Sequence, residues 1–456
     1  MDAATRTRPE RGQELDLRID DLAYGGAGVA RWEGGYVVFV RDAIPGDRVC
    51  AVVTKRKRHY AEARAVEVLE PSPERLDPVA DHPGAPWQVL PYERQLEVKR
   101  AQVDEALRRI GRLDAFELRE IVPAQELWRY RNKLEFSFGH GPDGTLVCGF
   151  HAPGSWEEIV GLEDCLLQSE RGNAARRAVL DWARGAGLRA WDRRTGEGLL
   201  RNLVVREGRR TDQLQVRLVT SDTQELSAEE LGSALHGVAD SVLWTRAPGV
   251  AETTQGGVTQ VVAGTAKISE ELCDLRFELS GEAFFQTNTE MAEVLYGLAA
   301  DAAALQGWER VFDLFCGIGT IGMTLAARSG EVWGVEVVEE AVANAIANAK
   351  TNGVRNAQFF AGDVRLAMRE LIERAGRPDV LVVDPPRAGL SQKIVRRIIE
   401  AAPKRLVYVS CNPTTLAPNA AQLVADGGYA LRHVTPVDMF PQTPHIECVA
   451  LLERTG

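Results

Sequence analysis

The chain has no CxxC pair and no cluster of cysteines. Its seven cysteines are scattered over 456 residues, at positions 50, 148, 165, 273, 316, 411 and 448. Proteins that depend on disulfides usually carry an even and closely spaced set. The odd, dispersed set therefore argues against a disulfide framework and predicts a protein that works in the reducing cytoplasm.

Long apolar runs and an excess of positive charge are also absent. No stretch approaches the roughly 20 apolar residues of a membrane span, and the polar segment Met1 to Gly12 lacks the apolar core of a signal peptide. We therefore expect no membrane partner. Lys and Arg total 54 against 65 Asp and Glu, which gives a net charge of −11. A nucleic acid must then be held by local basic patches rather than by the overall field.

The chain is long enough for two or three domains, and the first is assigned to residues 1–75. From about Glu14 to Leu69, short apolar runs alternate with glycine and proline turns, which predicts a small β-barrel. Within it, Lys55 to Tyr60 is a cationic run that ends in an aromatic residue. This run is either a charged strand edge that prevents aggregation or a surface that contacts phosphates.

Residues 76–285 are predicted to hold a linker, a helix and a mostly antiparallel β domain. Pro71 to Pro91 is rich in proline and polar residues, and an amphipathic helix is expected from about Tyr92 to Gly111. Strand-like runs follow, for example Leu134–Phe138 and Leu214–Val219.

The remaining domain, residues 286–456, alternates strands and helices, which predicts an α/β fold with a mostly parallel sheet. Strands are expected at Val311–Phe315, Val332–Val338, Ala357–Phe360, Val380–Val383 and Leu406–Val409. In such sheets, ligands bind outside the carboxyl ends of the strands. Polar residues near those ends should therefore share one rim; they are Asp313, Glu336, Asp363, Asp384 and Cys411.

The C-terminal end of the sequence breaks the parallel pattern. Leu431–Val434 and Ile446–Leu452 are joined by a loop too short for a crossover helix, so they should pair antiparallel. The last strand then begins at the rim that carries Cys411, with Glu447 at its start. Cys448 alternates to the other face and should belong to the core. The topology thus predicts a thiol beside a carboxylate.

A strand, a glycine turn and a helix start follow one another from Val311 to Gly322. The glycines fit GxGxxG, which is typical of NAD sites but weak as a single motif. Asp313 would repel a pyrophosphate and better suits the cationic amino-acid tail of S-adenosyl-L-methionine. Glu336 is placed to bind ribose hydroxyls in either case, and Cys316 should pack against the cofactor. The pattern favours the methyl donor over NAD.

Asp384-Pro385-Pro386-Arg387 follows the fourth predicted strand. Two prolines there are often only a rigid exit turn. The functional interpretation is a stiff wall that fixes Asp384 and Arg387 beside the cofactor.

Cys411 stands between Ser410 and Asn412 at the end of the fifth predicted strand. Most unpaired cysteines are buried structural residues, but the polar neighbours and the rim position favour a nucleophile. Attack requires a thiolate, so we expect a lowered pKa, helped by nearby helix N-termini. Carbon 5 of a pyrimidine becomes reactive once a thiolate adds to carbon 6, and a base such as Glu447 must then remove the carbon 5 proton.

Five segments together resemble the RNA 5-methyluridine methyltransferases, and the resemblance covers nearly the whole chain. They are Phe284-Phe285-Gln286-Thr287-Asn288, Asp313-Leu314-Phe315-Cys316-Gly317-Ile318-Gly319, Asp384-Pro385-Pro386-Arg387, Ser410-Cys411-Asn412-Pro413 and His445-Ile446-Glu447.

The resemblance implies a Rossmann-like class I methyltransferase domain with an antiparallel last strand, preceded by the small barrel and the β domain. It implies methylation of carbon 5 of an RNA uridine that is flipped out of its stack. Cys411 is then the nucleophile and Glu447 the general base. The cofactor S-adenosyl-L-methionine would be bound by Gln286, Asp313, Phe315, Gly317, Glu336 and Asp384, with Asp363 as a weaker candidate for the adenine end.

The N-terminal segment resembles the TRAM domain of the ribosomal-RNA branch of this family. RNA, expected to be ribosomal, would be held by this barrel, by the run from Lys55 to Arg58 and by the cationic segment from Arg129 to Lys133. No obligate protein partner is inferred.

Members of that branch often carry an iron–sulfur cluster on four cysteines. Here the corresponding stretch Asp81 to Gln88 has none, and only Cys165 remains. One thiolate cannot hold a cluster, so neither a cluster nor another metal is expected.

Three alternatives stay open. The same chemistry could act on a transfer-RNA uridine. Methyl transfer to an exocyclic nitrogen typically needs an aromatic residue where Arg387 stands, which argues against it. A non-catalytic RNA-binding protein would have no need for both Cys411 and Glu447.

Overall fold

The computed structural model describes residues 8–223, 225–249 and 253–455. Met1 to Thr7, the start of the predicted polar N-terminus, lies outside the described residues. Among those residues, no helix is both long enough and apolar enough to cross a bilayer.

The N-terminal segment forms the predicted closed barrel, in the strand order β1-β2-β3-β5-β4. The strands are β1 (Glu14–Leu22), β2 (Gly28–Trp32), β3 (Tyr36–Arg41), β4 (Arg48–Arg56) and β5 (Tyr60–Glu70). Alternate side chains such as Leu15, Leu17 and Ile19 point inward and are buried. Period-two alternation in short strands thus closes a small core.

The linker leads into helix α1 (Tyr92–Glu105), which continues as a π-helical turn over Ala106–Ile110. A short strand, β6 (Glu117–Leu118), follows. The buried face of the helix contributes Val103, Ala106 and Leu107 to the core of the C-terminal sheet.

The central domain is a seven-stranded sheet in the order β13-β12-β11-β10-β7-β8-β9. Its elements are β7 (Lys133–His140), β8 (Leu146–His151), β9 (Ile159–Gly161), α2 (Glu170–Gly185), β10 (Leu200–Gly208), β11 (Gln213–Thr220), α3 (Ala228–Ala234), β12 (Ser241–Arg246) and β13 (Val258–Ala263). All pairs are antiparallel except β11 with β12. The mostly antiparallel prediction is confirmed.

A hairpin of β14 (Lys267–Leu272) and β15 (Leu275–Ser280) leads into the C-terminal domain. That domain contains α4 (Thr289–Ala303), β16 (Arg310–Leu314), α5 (Thr320–Ala326), β17 (Glu331–Glu336), α6 (Glu339–Thr351), β18 (Ala357–Ala361), α7 (Val364–Ala375), β19 (Val380–Val383), α8 (Gln392–Ala401), β20 (Arg405–Ser410), α9 (Pro413–Gly427), β21 (Tyr429–Val437) and β22 (Glu447–Arg454). The sheet order is β18-β17-β16-β19-β20-β22-β21-β6.

The C-terminal sheet has a core on each face. Helices α4, α5 and α6 contribute to one core, and α7, α8 and α9 contribute to the other. Strands buried on both faces need apolar side chains at every position, as β19 shows with Val380 to Val383. Strand β22 lies antiparallel between β20 and β21, so the predicted α/β class with an antiparallel last strand is confirmed.

Packing crosses the domain boundary predicted at residue 286. The hairpin β14–β15 contributes Ile268, Leu272 and Phe277 to the core beneath α4. Strand β6 pairs with β21 at the edge of the C-terminal sheet. The C-terminal unit therefore includes segments that precede residue 286.

Candidate active site

The predicted polar residues lie at or near the same end of six neighbouring strands, in the order of the sheet. Across the rim from β18 to β22 the series runs Asp363, Glu336, Asp313, Asp384, Cys411 and Glu447. Neighbouring strands lie about 4.8 Å apart. The predicted thiol and base therefore occupy one end of the rim, and the predicted ribose and adenine residues occupy the other.

Cys411 and Glu447 are brought side by side by strand register. Ser410 of β20 pairs with Cys448 of β22, and the two strands run antiparallel. The next residue of β20 is Cys411, and the preceding residue of β22 is Glu447. Cys448 itself is fully buried, as predicted.

The expected lowering of the Cys411 pKa is not found. Partial burial and the negative charges of Glu447 and Asp384 raise the pKa of this thiol to about 11. Cys411 lies two residues before helix α9, but burial and the nearby carboxylates outweigh any help from that terminus. Burial likewise raises the pKa of Glu447 well above its usual range. Without a ligand, the Cys411 thiol is therefore protonated near neutral pH, and burial disfavours the charged form of Glu447.

Two carboxylates at the centre of the rim have oxygen atoms without a hydrogen-bond partner in the part of the chain that the structure describes. Asp313 is fully buried; its Oδ2 accepts a hydrogen bond from the Gly322 amide at 2.8 Å, but its Oδ1 has no partner. The Asp384 carboxylate has no hydrogen-bond or ion-pair partner among the described residues. Desolvation raises the pKa of each to about 7. A cationic ligand would stabilise both charges, so the pocket fits a sulfonium with an ammonium tail.

The glycine turn that follows β16 is hydrogen-bonded to Glu336 at the end of β17. Gly317 donates its amide to Glu336 Oε2 at 3.2 Å, and Glu336 Oε1 accepts the amides of Val337 and Val338. Gly319 has φ +84°, and a β-carbon there would lie 2.8 Å from the Phe359 ring. Glycine is therefore required. Phe315, predicted to end the strand, instead begins the turn with φ +65°.

Gln286 lies in the loop that precedes α4. Asn132 of the central domain holds this loop by donating to the Gln286 carbonyl and to Thr289 Oγ1, each at 2.8 Å. Asn288 caps α4 and donates to the Met439 carbonyl. The loop is thus tied to both the central sheet and the segment leading to Glu447.

Asp363 has a structural role of its own. It caps α7 by accepting the Arg365 amide at 2.9 Å, and its carboxylate also pairs with the Arg365 guanidinium. These bonds occupy much of its acceptor capacity, so it remains the weaker cofactor candidate.

The turn after β19 is fastened to the segment that carries Cys411. Asn412 Nδ2 and Thr415 Oγ1 both donate to the Arg387 carbonyl, at 3.0 and 3.3 Å. The Arg387 guanidinium donates to His445 Nδ1 at 3.1 Å. Burial and nearby cations lower the pKa of His445 to about 4, so it accepts this bond as a neutral ring.

The cationic segment predicted to hold RNA is less available than expected. Arg129 pairs with Asp164 at 2.7 Å, and Lys133 pairs with Glu135 at 2.6 Å. Arg131 instead packs near the Phe440 ring. All three cations are half-buried, whereas the barrel run Lys55 to Arg58 is exposed. The barrel therefore offers the better phosphate-binding surface.

The region where the resemblance would place an iron–sulfur cluster contains a buried histidine–cysteine contact. His82 Nε2 lies 3.2 Å from Cys165 Sγ, and both side chains are buried. Within the described part of the chain, no group of three or more candidate ligands is arranged to hold a metal. The prediction of no iron–sulfur cluster stays a prediction, tested by iron and sulfide analysis of protein purified without air.

Two residues at the site, Tyr24 and Asn132, had no signal in the sequence, and the contact made by a third, His445, could not be foreseen. Tyr24 reaches it from the barrel, 387 positions before Cys411, and its hydroxyl lies 3.4 Å from the Cys411 carbonyl. Asn132 reaches it from the central sheet. His445 stood inside a recognised segment, but its bond to Arg387 depends on tertiary packing.

Comparisons with known proteins agree with this architecture. Residues 259–455 match the family model described as tRNA (Uracil-5-)-methyltransferase, and residues 8–66 match the TRAM domain. An uncharacterized RNA methyltransferase of Halalkalibacterium halodurans is 38% identical over 446 residues, covering 96% of each chain. A similarly named protein of Bacteroides thetaiotaomicron is 39% identical, covering 91% of this chain and 96% of its own.

A solved structure matches almost the whole length. It is the tRNA (uracil-54, C5)-methyltransferase of Pyrococcus abyssi in complex with S-adenosyl-L-homocysteine. It is 28% identical with a TM-score of 0.78, and the match covers 96% of this chain and 99% of that one. The chain belongs to the RNA (uracil-5-)-methyltransferase family and carries the TRAM domain at its N-terminus.

Proposed function

We propose that this enzyme methylates carbon 5 of an RNA uridine through a covalent adduct with Cys411, using S-adenosyl-L-methionine as the methyl donor. The observation that carries the proposal is the register that sets Cys411 beside Glu447, next to the unpartnered carboxylate of Asp384. The Pyrococcus relative, which binds the demethylated donor, supports the choice of cofactor.

The steps follow from the chemistry of the two side chains. The Cys411 thiol loses its proton to solvent and its sulfur bonds to carbon 6, which moves the electrons of the carbon 5–carbon 6 double bond onto the carbonyl oxygen at carbon 4. Carbon 5 then takes the methyl group that the donor would supply, and the demethylated thioether is the leaving product. Glu447, which must be ionised at this point, accepts the carbon 5 proton, the ring double bond reforms, and the sulfur–carbon bond breaks to return the Cys411 thiolate.

The donor supplies a positive charge as well as a methyl group. Asp313 and Asp384 would hold its cationic groups, Glu336 its ribose, and Gln286, Phe315 and Gly317 would line its pocket. Burial and the charge of Glu447 are the larger causes of the raised Cys411 pKa, and a cation beside Asp384 would offset the contribution of that carboxylate. The thiol is thus activated when the donor is bound.

Ribosomal RNA is the first substrate to test, because the barrel resembles the TRAM domain of the ribosomal branch. Transfer RNA is the second candidate. The Pyrococcus transfer-RNA enzyme aligns with 96% of this chain, barrel included, so possession of the barrel does not separate the two. Mapping of new methyluridine in both RNAs after incubation with enzyme would identify the substrate.

The adduct is tested with RNA that contains 5-fluorouridine. Fluorine at carbon 5 blocks the final elimination, so wild-type enzyme and donor should accumulate a stable protein–RNA adduct, visible by denaturing electrophoresis. Cys411→Ser should form none, while Cys50→Ser in the barrel should behave as wild type. Glu447→Gln should trap an adduct even on ordinary uridine RNA. An equal adduct yield with Cys411→Ser would refute the mechanism.

A further inference from the structure

A loop of the barrel reaches the rim that carries the thiol. The loop joins β1 to β2 and spans Ala23 to Ala27. At its tip, the Tyr24 hydroxyl donates a long hydrogen bond to the Cys411 carbonyl at 3.4 Å. Burial and the charges of Cys411 and Glu447 raise the pKa of Tyr24 to about 12. The phenol therefore stays a neutral donor throughout the working pH range.

The loop is held in place by close packing. A β-carbon at Gly26 would lie 2.9 Å from the Pro444 ring and 3.1 Å from Trp87 Nε1, and the φ there is +90°. Only glycine allows so tight an approach. Pro444 belongs to the segment that leads into Glu447. Leu22, just before the loop, is buried in the same cluster as Trp87. Contacts made by Leu22, by Gly26 and by its own hydroxyl therefore hold Tyr24 in position.

Tyr24 is anchored but only partly covered. The residue remains 39% exposed, although its hydroxyl is bonded to the backbone of the proposed nucleophile. An exposed aromatic face beside a thiol can stack on an unstacked base, and such stacking is largely independent of the base identity. A uracil ring brought to Cys411 would meet this face.

We propose that Tyr24 is a positioning residue that stacks on the uracil base presented to Cys411 and completes the pocket from the barrel side. This inference rests on the proposed function. The barrel would then do more than hold the RNA, because it would also align carbon 6 with the sulfur. A base held at the wrong angle reacts slowly even when the RNA is fully bound.

The test separates the rate of reaction from RNA binding. With saturating 5-fluorouridine RNA and donor, the rate of adduct formation should fall at least about tenfold in Tyr24→Leu, which keeps bulk but has no aromatic face. Tyr24→Phe keeps the face and should restore most of the rate. Trp308→Leu is the matched control, since Trp308 is exposed near the opposite end of the strands; its rate should equal that of wild type. RNA affinity is measured separately by filter binding, and folding by circular dichroism.

Four outcomes would overturn the inference. If Tyr24→Leu reacts as fast as wild type at saturating RNA, the proposed function stands and the role of Tyr24 is rejected. If the rate is unchanged and only RNA affinity falls, Tyr24 is an ordinary RNA contact. If wild type forms no adduct, the proposed function fails and this inference fails with it. Should Tyr24→Leu misfold, a Tyr24→Phe enzyme much slower than wild type would equally reject a stacking role.

Discussion

At the scale of single residues, the site combines groups whose charged forms are each destabilised when no ligand is bound. Cys411, Glu447, Asp313 and Asp384 all have raised pKa values, chiefly because their charged forms are desolvated. Clusters of such perturbed groups are typical of functional sites. Here a nearby positive charge would stabilise the ionised form of every one of them, and a sulfonium donor would supply it.

The pKa of Cys411 gives a direct prediction. In the ligand-free enzyme, the pKa of about 11 means that alkylation of Cys411 should rise about tenfold per pH unit from about pH 7 to pH 10. A free cysteine peptide should level off near pH 8.5. Iodoacetamide labelling followed by peptide mass spectrometry measures both. Labelling of Cys411 that levels off below about pH 9 would contradict the raised pKa.

The Asp313 carboxyl couples stability to pH. Its folded pKa of about 7 lies above the ordinary 3.8, so its contribution to stability is present below about pH 4 and lost as pH rises through 7. Asp313→Asn keeps an oxygen for the Gly322 amide but has no charge. The variant should therefore melt higher than wild type at about pH 8, and the difference should disappear as the pH falls to about 4. Differential scanning fluorimetry without ligand measures this.

The same variant should bind the donor more weakly, because it lacks the charge that faces the cation. Calorimetry with S-adenosyl-L-methionine checks this second effect. Asp20→Asn, an exposed change in the barrel, is the control for both measurements. If the melting temperature of the variant at about pH 8 equals that of wild type, the pKa of the Asp313 carboxyl is not raised in the folded protein.

At the scale of elements, the segment between β21 and β22 is held by a buried ion pair. Lys99 of α1 donates to Asp438 Oδ1 at 2.6 Å, and neither side chain is exposed. Tyr92 donates to the other oxygen of Asp438, and Lys99 also reaches the Phe440 carbonyl. The linker helix thereby fixes the segment that delivers Glu447 to the rim.

Removing one partner of this pair should be costly. Asp438→Ala strands a buried ammonium, so the free energy of unfolding should fall by about 3–5 kcal/mol. Glu453→Ala, which breaks the exposed pair with Arg432, should change it by less than about 1 kcal/mol. Urea denaturation compares the two. Similar losses for both variants would mean that the buried pair is not what holds this segment.

Much of this architecture could be predicted from local sequence. The alternating strands and helices, the rim carrying Asp313, Asp384 and Cys411, and the antiparallel last strand depend on nearby residues and short connections. The direction of the Cys411 pKa shift could not be predicted, because it depends chiefly on how far tertiary packing buries the thiol. Tyr24 was missed for the same reason, since its contact with Cys411 joins distant parts of the chain.

At the scale of the whole molecule, a net negative charge coexists with a basic barrel edge. Lys57 and Arg58 are exposed, and neither has a carboxylate partner among the described residues, whereas Lys55 pairs with Glu62 at 3.2 Å. Binding of RNA through a few local cations predicts a modest dependence on salt, because each neutralised phosphate releases less than one counterion.

Lys57 provides the test of that surface. Lys57→Ala should weaken RNA binding and reduce the slope of log Kd against log salt by about 1. Lys350→Ala, an exposed change on α6, should leave the slope as in wild type. Filter binding at several salt concentrations measures it. Equal slopes for Lys57→Ala and wild type would place the phosphate contacts elsewhere.

The proposed thiol and base lie at the ends of two hydrogen-bonded strands, whereas the barrel comes from a separate stretch of chain. Chimaeras could therefore be built by grafting a foreign barrel onto this sheet while retaining the native Ala23–Ala27 turn. Such grafts should change which RNA the enzyme methylates and leave the proposed nucleophile and base in place.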